Sequence, residues 1–306
     1  MNKKTKLVFF GSSEFAIPAL KQLLKEGYDV IATYTQPPRS AHRGKKISLT
    51  PVHEFAIDFG LSVKTPSKLI EPEVIEEFTS LQPDFAVVVA YGLIIPESML
   101  NVPKYEFLNV HPSLLPRWRG AAPIQRTIMS GDRVTGVCVI KVVNQLDSGP
   151  IYLKQEYKIP LGTTQNELSQ HLALVGGKLL VEVLNRFDQI EPAQQTNEDV
   201  TYASKIQKDE TRINWHCSAL EISNKIHGLS PFPGSWALFN NCRVKILKCQ
   251  IDDKCGKPGR ILDEQLTIGC SSGAIIPTIL QMEGKRALGL TEFLNGFKFQ
   301  IGNYFD

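Results

Sequence analysis

No two cysteines in this chain are spaced as Cys-x-x-Cys. The six of them, Cys138, Cys217, Cys242, Cys249, Cys255 and Cys270, are scattered, which argues against a zinc site or a disulfide framework and suits reduced cytosolic thiols. Long apolar runs are missing too. The longest, from Phe85 to Ile95, falls well short of the ~20 residues of a membrane span. Lys3, Lys4 and Lys6 precede Leu7-Val8-Phe9-Phe10, but Gly11 ends that run too early for a secretory signal. A cytoplasmic chain with no membrane partner is therefore expected. There is no strong excess of charge: the formal net charge is +3, too little by itself to argue for nucleic acid. The first apolar run is not followed by Gly-x-Gly-x-x-Gly. It leads instead into Gly11-Ser12-Ser13-Glu14, where a carboxylate would repel a pyrophosphate, so a nicotinamide dinucleotide is not indicated. Internal repeats and low-complexity tracts are absent.

What is present is an ordinary globular composition, 42% hydrophobic and 21% charged over 306 residues, a length that favours about two domains. After the first apolar run, Ile17, Leu20, Leu23 and Leu24 fall on one helical face, with Ser12 or Ser13 as cap and Gly27 as stop. Val30–Tyr34 reads as a strand. Thr50-Pro51 reads as an N-cap with proline in the first turn. Phe85–Ala90 is a continuous apolar strand of the kind buried on both faces of a parallel sheet. Phe107–His111 and Val134–Val142 are further strands, with a short helix over Ala122–Ser130 between them. Thr164-x-x-Glu167 is a capping box that opens a long helix. Gly176-Gly177 inside that helix costs about 1 kcal/mol per glycine relative to alanine, a cost that close packing on another element would explain. Strands alternating with helices predict an α/β, Rossmann-like, doubly wound and mostly parallel sheet over residues 1–188. Residues 189–208 are polar without periodicity and read as a linker. Short β-like runs separated by Gly, Asn and Asp over 209–306 predict an OB-like β-barrel.

The chemistry is concentrated in Asn109-Val110-His111-Pro112-Ser113-Leu114-Leu115-Pro116 and in Leu146-Asp147-Ser148-Gly149. In an open α/β sheet, ligands sit beyond the carboxyl ends of strands. Asn109 and His111 are two apart at such an end, so they face the same side. Asp147 follows the Val134–Val142 strand. If those two strands are neighbours, an amide, an imidazole and a carboxylate converge. Taken singly, a strand-end Asn, a His and an Asp in a turn are common structural residues. Together they suit stabilisation of a tetrahedral intermediate while a proton is moved.

One segment is strongly basic. Arg39, His42, Arg43, Lys45 and Lys46 lie between Gln36 and Thr50 with no acidic residue among them. Pro37, Pro38 and Gly44 argue against helix or strand, so a cationic loop that seeks phosphates is expected there. From residue 201 on there are 13 Lys and Arg against 10 Asp and Glu, a weak basic excess on a barrel of a type that often carries single-stranded RNA.

At these residues the chain resembles the methionyl-tRNA formyltransferase family. The resemblance runs through Asn109 to Gln125 and Leu146 to Gly149. It includes Thr35-Gln36-Pro37 with Arg43-Gly44-Lys45-Lys46, Val87 to Pro96, and Pro231-Phe232-Pro233-Gly234-Ser235-Trp236. Pro112 and Gln145 depart from it, where glycine and a small residue are common, and neither removes a functional group. The resemblance implies 10-formyltetrahydrofolate as donor and initiator methionyl-tRNA as acceptor, with no metal and a monomeric protein. It implies Asn109, His111 and Asp147 as catalytic residues. Tyr91, Gly92 and Ser113, Leu114, Leu115 and Pro116 would lie at the folate pocket. Arg39, Arg43, Lys45 and Lys46 would contact tRNA. The nearest alternative is a folate-dependent formyltransferase acting on an amino sugar nucleotide. It would keep the Asn/His/Asp set but has no use for the basic loop. A non-catalytic RNA- or folate-binding module would need no such set.

Overall fold

A computed structural model of the protein describes residues 5–41 and 46–306. In chain order, β1 (Lys6–Gly11) leads to α1 (Ile17–Lys25), β2 (Asp29–Tyr34), the short strands β3 (Arg39–Ala41) and β4 (Lys46–Ser48), α2 (Pro51–Asp58), β5 (Val63–Lys64), α3 (Pro72–Ser80), β6 (Phe85–Val89) and α4 (Glu97–Leu100). There follow β7 (Glu106–His111), β8 (Arg119–Gly120), α5 (Pro123–Met129), β9 (Val134–Lys141), β10 (Ile151–Lys158), α6 (Gln165–Asn185) and β11 (Tyr202–Ala203). Among the described residues, seven of these strands form one sheet in the order β10-β9-β7-β6-β1-β2-β5. Its centre is parallel, β1 pairing with β2 and β6, and β6 with β7. The expected Rossmann-like architecture is therefore present. The apolar strands β1 and β6 are buried almost end to end, as strands covered on both faces must be. Phe10 anchors one side of the sheet, stacked on Tyr34 at 4.6 Å and edge-on to Tyr91 at 5.4 Å.

Local signals in the sequence reappear as hydrogen bonds. Thr50 accepts from the backbone N–H of His53, 3.1 Å away, and caps α2. Thr164 and Glu167 form both halves of the capping box, at 2.7 and 3.3 Å. A methyl group on Gly177 would meet the backbone of α1 at 3.0 Å, and one on Gly176 would meet Val110 at 2.7 Å. The two glycines thus let α6 approach its neighbours closely, which accounts for their place in a helix. The expected serine cap of α1 is not made by either candidate. Ser13 makes no side-chain capping bond. Ser12 donates instead to the Tyr91 carbonyl at 2.9 Å and accepts from the Gln36 N–H at 3.1 Å, tying the ends of β1, β2 and β6 together.

The chain divides into two compact units that are discontinuous in sequence. One comprises Met1–Ala121, Thr135–Tyr157 and Ser169–Tyr202, the other Ala122–Val134, Lys158–Leu168 and Ala203–Asp306. The second unit adds α7 (Ala219–Gly228), β12 (Ser235–Phe239), β13 (Cys242–Asp252), β14 (Ile268–Gly269), β15 (Ala274–Met282), β16 (Ala287–Gly289) and α8 (Leu290–Gly296). Its strands make an antiparallel sheet, β12-β13-β15-β14 with β16 on β15. Register shifts interrupt β13 around Lys248, the kind of irregularity that lets a long strand of an OB-like half-barrel bend. Ile222, Ile226, Val244, Ile246 and Ile275 fill its core. Among the described residues no helix is long and apolar enough to cross a membrane.

Candidate active site

The strand carrying Asn109 and His111 is indeed the neighbour of the one that precedes Asp147. β7 pairs with β9, but antiparallel, with Asn109 opposite Ile140 and His111 opposite Cys138. The end of β9 therefore lies away from the end of β7, and Asp147 reaches the site through the loop that follows. That loop closes tightly: Lys141 N–H donates to the Pro150 carbonyl at 3.0 Å, and a Cβ on Gly149 would sit 1.9 Å from the Lys141 carbonyl. Only glycine permits that approach. Asp147 itself takes a left-handed backbone conformation, φ 47°, one that aspartate tolerates better than most residues.

The three groups meet around the Asp147 carboxylate. Its Oδ1 accepts from Asn109 Nδ2 at 3.2 Å, and its Oδ2 accepts from the Gly120 N–H at 2.8 Å. His111 Nδ1 stands 3.5 Å from Oδ2. On its other side, His111 Nε2 lies 2.9 Å from the Trp118 carbonyl. A carbonyl only accepts, so Nε2 carries a proton. Nδ1 faces the Asp147 carboxylate, so the ring sits between two acceptor groups. The His111 and Asp147 side chains are 5% and 12% exposed, a seclusion in which an unpaired charge would be costly and a paired one is kept. Asn109 spends one amide hydrogen on Asp147 and retains the other.

The segment after β7 is shaped to hold this arrangement. Ser113 N–H donates to the His111 carbonyl at 3.0 Å and Ser113 Oγ to the Arg117 carbonyl at 2.6 Å, turning the chain back. Leu115 packs on Cys138 and Ile140, and Leu114 lies over Gly136. Trp118, with φ 64°, donates its N–H to Thr201 Oγ1 at 2.8 Å. Neither Thr201 nor Gln195, which binds the Asp147 loop at 2.8 Å, was singled out from sequence. Both sit in a polar stretch without periodicity, and no signal there distinguishes them.

The other predicted site residues fall into two groups. Tyr91 is 1% exposed, its ring within the Phe10 cluster, where burial pushes its phenol up. Its ring is a core element, and what it offers at the strand end is its backbone carbonyl, which accepts from Ser12 and from Gln36 Nε2 at 3.1 Å. Gly92 has φ 86°, and a Cβ there would meet Gln36 at 2.4 Å. In the basic segment, Arg39 Nη2 donates to Gln36 Oε1 at 2.7 Å. The expectation of neither helix nor strand is corrected here: Arg39–Ala41 and Lys46–Ser48 pair antiparallel, Arg39 opposite Ser48. Pro37 and Pro38 fall just before this ladder, where a missing N–H breaks no rung. Lys46 lies on β4, while Arg43 and Lys45 lie outside the described residues. Among the described residues no cluster of His, Cys, Asp and Glu could hold a metal ion.

Comparison with known proteins places both halves of the chain. Residues 5–184 match the formyl transferase family and residues 205–298 its C-terminal domain. The methionyl-tRNA formyltransferase of Ruegeria pomeroyi is 45% identical over 97% of this chain and 99% of its own. Among solved structures, an N-formyltransferase from Helicobacter canadensis, complexed with folinic acid and dTDP-3-aminofucose, superposes with a TM-score of 0.67 at 20% identity, covering 91% of this chain and 99% of its own. A methionyl-tRNA formyltransferase from Clostridium thermocellum superposes with a TM-score of 0.58 at 16% identity over 80% of this chain and 93% of its own. The structural likenesses speak for the fold. The identity to the Ruegeria protein, sustained through both domains, decides the branch, and the chain belongs to the methionyl-tRNA formyltransferase family.

Proposed function

We propose that the protein transfers the formyl group of 10-formyltetrahydrofolate to the α-amine of methionine on initiator methionyl-tRNA. The observation that carries the chemistry is the contact of Asn109, His111 and Asp147 around one carboxylate beyond β7. The amine has a reference pKa of about 8 and an ester neighbour that lowers it, so it attacks without a strong base. A bond forms between that nitrogen and the formyl carbon. The carbon becomes tetrahedral with an oxyanion, and the bond to folate N10 then breaks. One proton leaves the incoming amine and one reaches N10.

Asn109, with one amide hydrogen unused, is the donor to the oxyanion. His111 Nε2 is taken up by the Trp118 carbonyl and Nδ1 stands 3.5 Å from Asp147, so the ring orients Asp147 rather than offering the oxyanion a further N–H. Asp147 takes the proton from the amine and returns it towards N10, directly or through water. Ser113, Leu114, Leu115 and Pro116, with the backbone at Tyr91 and Gly92, form the folate wall in this reading. Arg39, Arg43, Lys45 and Lys46 hold tRNA phosphates. Residues 1–188 are the formyltransferase domain and 209–306 a tRNA-binding domain, joined by 189–208.

The deciding experiment is acceptor choice. With formyl-labelled folate, charged initiator tRNA and an amino sugar nucleotide offered side by side, label is expected on the tRNA alone. Label on the sugar nucleotide would replace this reading with the sugar-formylating one.

A further inference from the structure

The Asp147 loop is gripped from behind by a residue outside the Asn/His/Asp set. Gln195 Nε2 donates to the Asp147 carbonyl and to the Gly149 carbonyl, both at 2.8 Å. Gln195 Oε1 accepts twice from Arg119, from Nε at 3.1 Å and Nη2 at 2.7 Å. A primary amide has two hydrogens to give and two lone pairs on oxygen, so every one of these positions is used. The orientation of the amide is fixed as well, since flipping it would set its NH2 against the Arg119 guanidinium. Gln195 is itself anchored two residues upstream, where Ala193 exchanges backbone hydrogen bonds of 2.9 and 2.8 Å with Ile151.

These contacts close a ring. Arg119 is covalently next to Gly120, whose N–H grips Asp147 Oδ2 at 2.8 Å, and Gln195 returns from Arg119 to the main chain of Asp147. The carboxylate and the backbone of one residue are therefore held through the same neighbour. That residue has a left-handed backbone, and the bond from Gln195 to its carbonyl helps to hold it there. We propose that Gln195 is a positioning residue that sets the Asp147 carboxylate against Gly120, Asn109 and His111, so that the stretch read as a linker supplies part of the site. The inference rests on the role given to Asp147 above.

Gln195→Glu separates this role from mere stability. The carboxylate keeps an acceptor for Arg119 but has no hydrogen for the two carbonyls, so the Arg119 side stays anchored while the loop is released. In the full-length enzyme, kcat is expected to fall about 10–100-fold, the loss typical of a small misplacement of a reacting group. KM for both substrates and the melting temperature should stay near wild type. Exchange of the Gly120 amide proton should speed up about tenfold or more as Oδ2 leaves it. Unchanged kcat with unchanged Gly120 exchange overturns the proposal. Should Glu destabilise the fold, Gln195→Asn keeps the donor on a shorter arm, and full kcat in that variant would overturn it as well. Asp147→Asn is measured alongside. If it turns over normally while Gln195→Glu still frees the Gly120 amide, the catalytic reading of Asp147 fails and the positioning contact stands. If Asp147→Asn is inactive and Gln195→Glu is fully active, the positioning contact fails and the reading of Asp147 stands.

Discussion

Replacing the Asp147 carboxylate by an amide changes few atoms but reverses one hydrogen-bonding direction. Asn at this position could still accept from the Gly120 N–H, which lies 2.8 Å from Oδ2. Its NH2 would then face Asn109 Nδ2, now 3.2 Å from Oδ1, donor against donor. If the side chain flips to spare Asn109, the NH2 meets the Gly120 N–H instead. Either way the negative charge that faces Asn109, Gly120 and His111 is gone. Turnover of Asp147→Asn is therefore expected to fall by at least about 10²-fold, the scale on which preorganised electrostatic groups act. Folate affinity, measured by equilibrium dialysis, should change little, because the wall at Ser113, Leu114, Leu115 and Pro116 is untouched. Near-normal turnover would remove Asp147 from the chemistry. The trio was legible through the family resemblance, since spacing alone sets Asn109 and His111 on one side of a strand and leaves Asp147 a common turn residue. The orientation of β9 was not. A strand's direction is fixed by how the chain returns to the sheet, and nothing in Val134–Lys141 announces it. The engagement of His111 Nε2 by a carbonyl seven residues on, at Trp118, was equally hidden, because a backbone acceptor leaves no mark in side-chain identity.

Helices and strands announced themselves where a local rule decides the outcome. Thr50 and the Thr164–Glu167 pair act within three residues of their own backbone partners, and side-chain identity suffices to predict such bonds. Ser12 was misassigned as a cap because its partners, Tyr91 and Gln36, come from other strand ends and compete for the same hydroxyl. The pairing of β3 with β4 was hidden for a related reason: proline and glycine counts describe composition, whereas a three-rung ladder depends on which positions escape them. Gly176-Gly177 lies between these cases. The sequence shows a helix that tolerates two poor helix formers, and the structure supplies the reason in the α1 backbone 3.0 Å from where a Gly177 Cβ would stand. Those are main-chain atoms of another helix and cannot rotate aside. Gly177→Val should consequently destabilise the protein by about 1–3 kcal/mol, as overpacked contacts do, despite the better intrinsic helix propensity of valine over glycine. Thermal or urea unfolding measures this directly, and a variant as stable as wild type would show that α1 and α6 have room to separate.

Taken as a whole, the chain carries a net charge of only +3, so a long-range attraction between the entire protein and a polyanion is weak. Affinity for tRNA must come from local clusters, and their contribution is measurable through salt. Each phosphate neutralised by a lysine or arginine releases condensed counterions, so log K falls with log salt by about 0.7–0.9 per contact. The segment from Arg39 to Lys46 is such a cluster, with five basic residues including His42 and no acidic one. Arg39 is already steered by its bond to Gln36, and Gln36 in turn holds the Tyr91 carbonyl, so Arg39 is tied to the same strand ends as the proposed folate wall. Arg43→Ala should weaken tRNA binding uniformly and reduce the salt slope by about 1, while leaving affinity for the folate donor unchanged. Titrations of charged initiator tRNA between low and physiological salt give the slope, and the same titrations with the folate serve as the neutral control. A slope that does not change on removing Arg43 would mean that this side chain meets no phosphate. A parallel loss in folate affinity would mean that it serves the donor pocket rather than the acceptor.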